Sequence, residues 1–229
     1  MKHIWILTSV RSGSWLLCNL LNRSTNYNFE EFMHWNNSER NPFPPVCKVI
    51  RRHFLSYHTD DKKSEIESKL PDLKYIWLRR ENNYERAISL YFSLVDKLWR
   101  TDKDGKKELL QRVNSEQKKF DPFLAISCYA EVSSSYHNDW FDYLKNTEYL
   151  EINYQQLIID PKEELKKIVN YLGINVENYM FVPPDSGSMK RSQTDEFIVE
   201  LKSLLKKKSI PSVPQKSDIN IYKLLYSNT

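Results

Sequence analysis

Arg11-Ser12-Gly13-Ser14 stands between an apolar run, Ile4-Trp5-Ile6-Leu7, and a segment in which Leu16, Leu17, Leu20 and Leu21 recur at helical spacing. The order reads as strand, short loop, helix. Such a loop presents backbone N–H groups, two hydroxyls and a guanidinium at a helix N-terminus, where orphan donors and the helix dipole favour an anion. Gly13 permits close approach of the backbone. A phosphate-type ligand held by Arg11, Ser12, Gly13, Ser14 and the adjoining Trp15 is therefore the first expectation. The plain alternative is an ordinary strand-to-helix turn with Ser12 as N-cap. This is not a Walker loop, because it has one glycine, no lysine and too few residues. An ATP-using kinase of that type is the weaker reading.

A second cationic constellation follows another apolar run. Tyr75-Ile76-Trp77-Leu78 leads into Arg79-Arg80 and then an amphipathic segment containing Ser89. A guanidinium fork matches phosphate oxygens in bidentate fashion, and a nearby hydroxyl adds a donor. Solvated arginines paired with Glu81 or Glu85 are the alternative, and such exposed pairs stabilise little. Glu31 lies between Phe29 and Phe32, whose rings could desolvate a carboxylate and raise its pKa toward that of a general base. His53 offers an imidazole with the better intrinsic pKa. The histidines at 3, 34, 53, 58 and 137 show no metal-ligand spacing, so no metal is expected.

Taken in order, these segments resemble the sulfotransferases that use 3′-phosphoadenosine 5′-phosphosulfate (PAPS). Arg11-Ser12-Gly13-Ser14 followed by Leu16-Leu17 is similar to the 5′-phosphosulfate loop of the bacterial trehalose 2-sulfotransferase-like branch, with Trp15 where that branch has Thr. The cytosolic branch has Lys at the position of Arg11. Arg80 and Ser89 fall where the family grips the 3′-phosphate. Asn28-Phe29-Glu30-Glu31-Phe32-Met33 resembles the stretch whose Glu is the branch's proposed base, and Lys48 stands where that branch has a Lys able to polarise the sulfonate. Ile50-Arg51-Arg52-His53 is similar to the stretch that carries the cytosolic branch's catalytic His. The resemblance favours Glu31 over His53.

Tyr149 to Pro161 looks like the family's late strand and turn, with Gln155 in place of an acidic residue, and reads as structural. Arg191, in Lys190-Arg191-Ser192-Gln193, resembles the segment that closes over the donor. The resemblance implies sulfuryl transfer from PAPS to a hydroxyl acceptor, a small molecule or glycan, with a saccharide first. A catalytically inactive nucleotide-binding interaction protein of the same fold is the other alternative.

The elements that must position these residues can be read from the same pattern. Strands are predicted at 3–8, 46–50, 74–79 and 148–152, and helices at 14–22, 62–70, 82–97, 122–145, 161–172 and 194–207. Their alternation predicts an α/β protein of three layers, α/β/α, around a central parallel sheet: the P-loop-like sulfotransferase fold that the resemblance implies. Gly173 is expected to cap the 161–172 helix. The charged stretch from Thr101 to Lys119 reads as a loop or helix extension.

The 229 residues fit a single domain, 1–229, with a C-terminal helix and tail from about 194. Thirty-four basic against 30 acidic residues give a formal charge of +4, suited to a polyanionic donor but too mild to argue for nucleic acid. No apolar stretch is long enough for a membrane span, and no leader is evident. Cys18 and Cys47 sit in apolar surroundings and read as buried thiols, which points to a reducing, cytoplasmic setting. A homodimer stays open.

Overall fold

The structure is a computed structural model, and it describes residues 3–31, 46–50, 63–95, 98–101, 107–109, 122–174 and 180–182, with Val199 and Ser203. The chain forms two compact units, residues 1–81 with 135–185, and residues 82–134 with 186–229.

The first unit is built on a parallel sheet of five strands: β1 (Ile4–Thr8), β2 (Glu30–Glu31), β3 (Val46–Ile50), β4 (Lys74–Arg79) and β7 (Tyr149–Asn153). Their order is β2-β3-β1-β4-β7. All five residues of β1 are buried, as expected of a central parallel strand covered on both faces. Alternation along the strands divides the core. Ile4, Ile6, Ile76, Leu78 and Ile152 face α1 (Ser14–Ser24) and α6 (Pro161–Leu172). Trp5, Leu7, Cys47, Val49, Tyr75 and Trp77 face α2 (Lys63–Lys69) and the last turns of α4 (Pro122–Leu144), where Trp140, Tyr143 and Leu144 are buried. These two apolar layers with helices outside them make the α/β architecture that the sequence predicts.

Chain order reverses about β1: β2 and β3 lie on one side of it, β4 and β7 on the other. In open parallel sheets the crevice at such a switch point, beyond the carboxyl ends of the strands, is where ligands bind. The loop 9–13 leaves β1 at that end.

The second unit contains α3 (Asn83–Val95), the antiparallel pair β5 (Leu98–Thr101) and β6 (Lys107–Leu109), and α4 as far as Ser134. Buried Arg86 on α3 donates to Asn83 Oδ1 and, at 3.0 Å, to the Ser133 carbonyl of α4.

The four predicted strands and the helices from 14 to 172 are present, their ends shifted by at most two residues. Among the described residues four elements differ from the sequence reading, β5 being one, a strand where none was predicted. Strand β2 is only two residues long and carries no periodicity. Helix α5 (Tyr154–Ile159) replaces the expected turn, because the Asn153 side chain accepts hydrogen bonds from the amides of Gln155 and Gln156 and starts a helix there. Strand β6 falls within the stretch read as loop or helix extension, where it pairs antiparallel with β5. Gly173 caps α6 in the left-handed conformation, φ 57°. Of the predicted 194–207 helix, only Val199 and Ser203 are described, both helical. Among the described residues no helix is long and apolar enough to cross a membrane. The cysteines stand as thiols, with Cys18 and Cys47 buried.

Candidate active site

The loop after β1 is bent by two left-handed residues, Arg11 at φ 61° and Gly13 at φ 88°. For a non-glycine residue that conformation costs on the order of 1 kcal/mol and is retained only where the surroundings impose it. Ser12 is fully buried. Its hydroxyl donates to the Ser9 carbonyl at 2.7 Å and, having a single proton, accepts from Thr8 Oγ1. The loop is thus held from within by Ser12. It is held from outside by Trp140, whose indole N–H donates to the Thr8 carbonyl at 2.8 Å.

The helix that begins here is capped by Gly13 rather than Ser12. Gly13 offers no side chain to cap its first amides, and its first turn has no acidic residue. The contrast with α5 and α6 is informative, since Asn153 and Asp160 occupy the orphan amides of those helices. A helix start whose cap residue brings no side chain, with Ser14 and half-buried Trp15 as its first residues and Arg11 beside it, has the electrostatics of an anion site.

Arg79 and Arg80 have separate environments. Arg79 ends β4 and forms a half-exposed ion pair with Glu151 on β7, Nη1 to Oε1 3.1 Å. Arg80 lies beyond the strand end and turns to the loop, donating from Nη1 to the Arg11 carbonyl at 3.1 Å. Its guanidinium stacks on the Tyr154 ring, 4.4 Å from the centroid. The edge of that ring also lies against Gly13, where any Cβ would fall on Cδ2 and Cε2 of Tyr154. Arg11, Gly13, Arg80 and Tyr154 form one closed cluster.

On the other side of β1, Lys48 is the central residue of β3, in register with Ile6 of β1 and Glu31 of β2. Glu31 and Lys48 are therefore cross-strand neighbours, about 4.8 Å apart along the hydrogen-bonding direction. Asn22 of α1 brackets Phe29 just before β2, accepting from its amide at 2.7 Å and donating to its carbonyl at 3.4 Å. That bracket fixes where the chain enters the strand carrying Glu31. Next to Lys48, burial pushes the Cys47 thiol well above its ordinary pKa.

Of the residues singled out in the sequence, the first unit brings together Arg11, Ser12, Gly13, Ser14, Trp15 and Arg80 around the loop, and sets Glu31 beside Lys48. Ser89 is a buried residue of α3 in the second unit, its carbonyl accepting from Ser93 Oγ at 2.6 Å. His53 and Arg191 lie outside the described residues. Among the described residues no group of three or more His, Cys, Asp or Glu could hold a metal. Tyr154, Trp140 and Asn22 were not singled out. Tyr154 falls in a stretch that reads as structural, and nothing in the sequence sets Trp140 apart.

Comparison with known proteins gives a consistent picture. The model of a family described as Stf0 sulphotransferase matches residues 46–203. Among solved structures, the fold is similar to a sulfotransferase from Alicyclobacillus acidocaldarius, with a TM-score of 0.51 at 15% identity over 90% of this chain and 92% of that one. It is also similar to the sulfotransferase domain of the Synechococcus PCC 7002 olefin synthase, with a TM-score of 0.50 at 16% identity over 97% and 94% of the two chains. At such identities the likeness shows the fold. Among curated proteins none matches the chain in sequence.

Proposed function

The chain belongs to the Stf0 sulphotransferase family, and from that premise we propose that it transfers the sulfuryl group of PAPS to a hydroxyl, with a saccharide as the acceptor class. The observation that carries the reading is the glycine-capped start of α1 at the sheet's switch point, with Arg80 turned onto the loop that forms it.

Sulfuryl transfer moves an electrophilic sulfur in line from one oxygen to another, so the protein supplies position and positive charge rather than covalent chemistry. In this reading Arg11 and the amides of Ser12, Gly13 and Ser14 receive charge developing on the 5′-phosphate as the bond from its bridging oxygen to sulfur breaks. Ser12 acts through its amide, since its hydroxyl is engaged inside the loop. Trp15 adds packing where the related branch has a hydroxyl. Arg80 and Ser89 grip the 3′-phosphate, and Arg191 closes over the donor. Glu31 takes the proton of the acceptor hydroxyl as its oxygen bonds to sulfur, while Lys48, its neighbour in register, polarises the sulfonate. His53 is the second candidate for the base. The chemistry requires no metal.

Calorimetry tests the donor class. Adenosine 3′,5′-bisphosphate (PAP), the product left by PAPS, should bind more tightly than ATP with Mg²⁺, and the reverse order would overturn the proposal. Mass spectrometry of saccharides, phenols and lipids incubated with the protein and labelled PAPS tests the acceptor class. Label in phenols or lipids alone would exclude a saccharide acceptor.

A further inference from the structure

Tyr154 has no part in the reaction as written, yet it touches both cationic elements of the site. It is the first residue of α5 and follows Asn153, which pairs in register with Arg79. That register places Tyr154 alongside Arg80 where the two parallel strands end. Its backbone is fixed, because the Asn153 side chain caps the amides of Gln155 and Gln156 and Leu157 is fully buried one turn on. The ring then has little choice of direction. One edge fills the space that a side chain at position 13 would take, and one face carries the Arg80 guanidinium. Arg80 closes the circuit by donating to the Arg11 carbonyl.

We propose that Tyr154 is a positioning residue: its ring is the common seat of Gly13 and Arg80, so the loop and the β4 arginine are set together by one side chain. The inference rests on reading those two elements as grips on PAPS, and it adds that they are coupled before any ligand arrives. Loss of the seat releases Arg80 from the Arg11 carbonyl and frees the left-handed loop to relax. The contacts are made by the ring edge and the ring face, so the aromatic ring and not the hydroxyl does the positioning. A planar guanidinium is needed at position 80, because an ammonium cannot both stack and donate sideways to a carbonyl.

The test uses the full chain and two readouts: hydrogen exchange of the amides of residues 9–14 without ligand, and the calorimetric Kd for PAP. Tyr154→Phe should match the wild type in both. Tyr154→Leu should speed loop exchange and weaken PAP binding by about 10-fold each, the scale of one partly desolvated cation–π contact. Arg80→Lys should speed the same exchange. The proposal is overturned if Tyr154→Leu exchanges like wild type, or if Tyr154→Phe behaves like Tyr154→Leu, which would assign the role to the hydroxyl. Should Tyr154→Leu fail to fold, unchanged loop exchange in Arg80→Lys overturns it equally. Because exchange is read without ligand, a wild-type protein that ignored PAP would refute the donor reading and leave this arm to judge the seat.

Discussion

Gly13→Ala examines the loop at its most constrained point. Two separate costs can be worked out. Gly13 has φ 88°, and an L-residue in the left-handed region costs about 1–2 kcal/mol. The added Cβ would fall on the edge of the Tyr154 ring, and forcing a methyl into packed space costs about 1–3 kcal/mol. The sum is about 2–5 kcal/mol against the loop conformation seen here. If the loop holds its shape, thermal denaturation reports that cost, at about 2–4 °C per kcal/mol for a chain of this size. If the loop gives way instead, Tm barely moves and the affinity for PAP falls by about 30-fold or more. A Tm and a Kd both equal to wild type would refute the reasoning. A double-mutant cycle separates the two costs. In a Tyr154→Ala background the steric part vanishes, so the double variant should lose about 1–3 kcal/mol less than the sum of the singles. Strict additivity would show that the ring is not what excludes a side chain at position 13.

Arg80→Ala should cost about 2–4 kcal/mol of PAP affinity, and Arg79→Ala less than about 1 kcal/mol because its partner is a half-exposed Glu151; reversed effects in calorimetry would mean that Arg79 holds the anion. Glu31→Gln should slow the chemical step by about 10²–10⁴-fold in single-turnover assays with PAP binding unchanged, while His53→Asn acts only modestly. A normal Glu31→Gln with a dead His53→Asn would transfer the role of base to the histidine. Stability should fall as pH rises past about 9, where the unfolded Cys47 thiol ionises while burial keeps the folded one protonated, and further above 10, because burial, with Glu148 adding to it, holds the Tyr171 phenol up at about 12 from its ordinary 10.0. Above pH 10 the unfolded phenol ionises before the folded one, which favours unfolding. Tyr75, pushed up by burial and by Tyr143 and Glu67, acts in the same direction, so Tyr75→Phe should flatten the fall in melts between pH 8 and 12.

The legible parts of the fold are those whose signal is local. Ile4-Trp5-Ile6-Leu7 and Tyr75-Ile76-Trp77-Leu78 read as buried strands because a central parallel strand needs apolar residues on both faces. Leu17, Leu20 and Leu21 read as a helix because one stripe must face that sheet. The Arg-Ser-Gly-Ser loop was legible as the turn between β1 and α1, and could be proposed as an anion site because the groups such a site needs are adjacent in the chain. Strand β2 was not, since two glutamates carry no period and pair only because Asn22 and β3 bring them to the sheet edge. Helix α5 was hidden by Ile158 and Ile159, which favour strand, and was decided by the Asn153 cap.

What escaped the sequence in the site is of one kind. Trp140 holds the Thr8 carbonyl and Tyr154 fills the space beside Gly13, and in each case the partners are far apart in the chain and joined by the sheet. Neither residue is a type that announces chemistry; each acts by excluding alternatives for a loop that is strained at Arg11. The arginine pair shows the same limit. Two identical side chains stand in succession, and strand alternation alone assigns Arg79 outward without saying where Arg80 goes. Its direction follows from β7: Glu151, in register with Trp77, reaches Arg79 diagonally, and Tyr154, just past the Asn153 that pairs with Arg79, meets Arg80. The sequence thus displays the charges of the site, while the neighbouring strand decides which of them faces the loop.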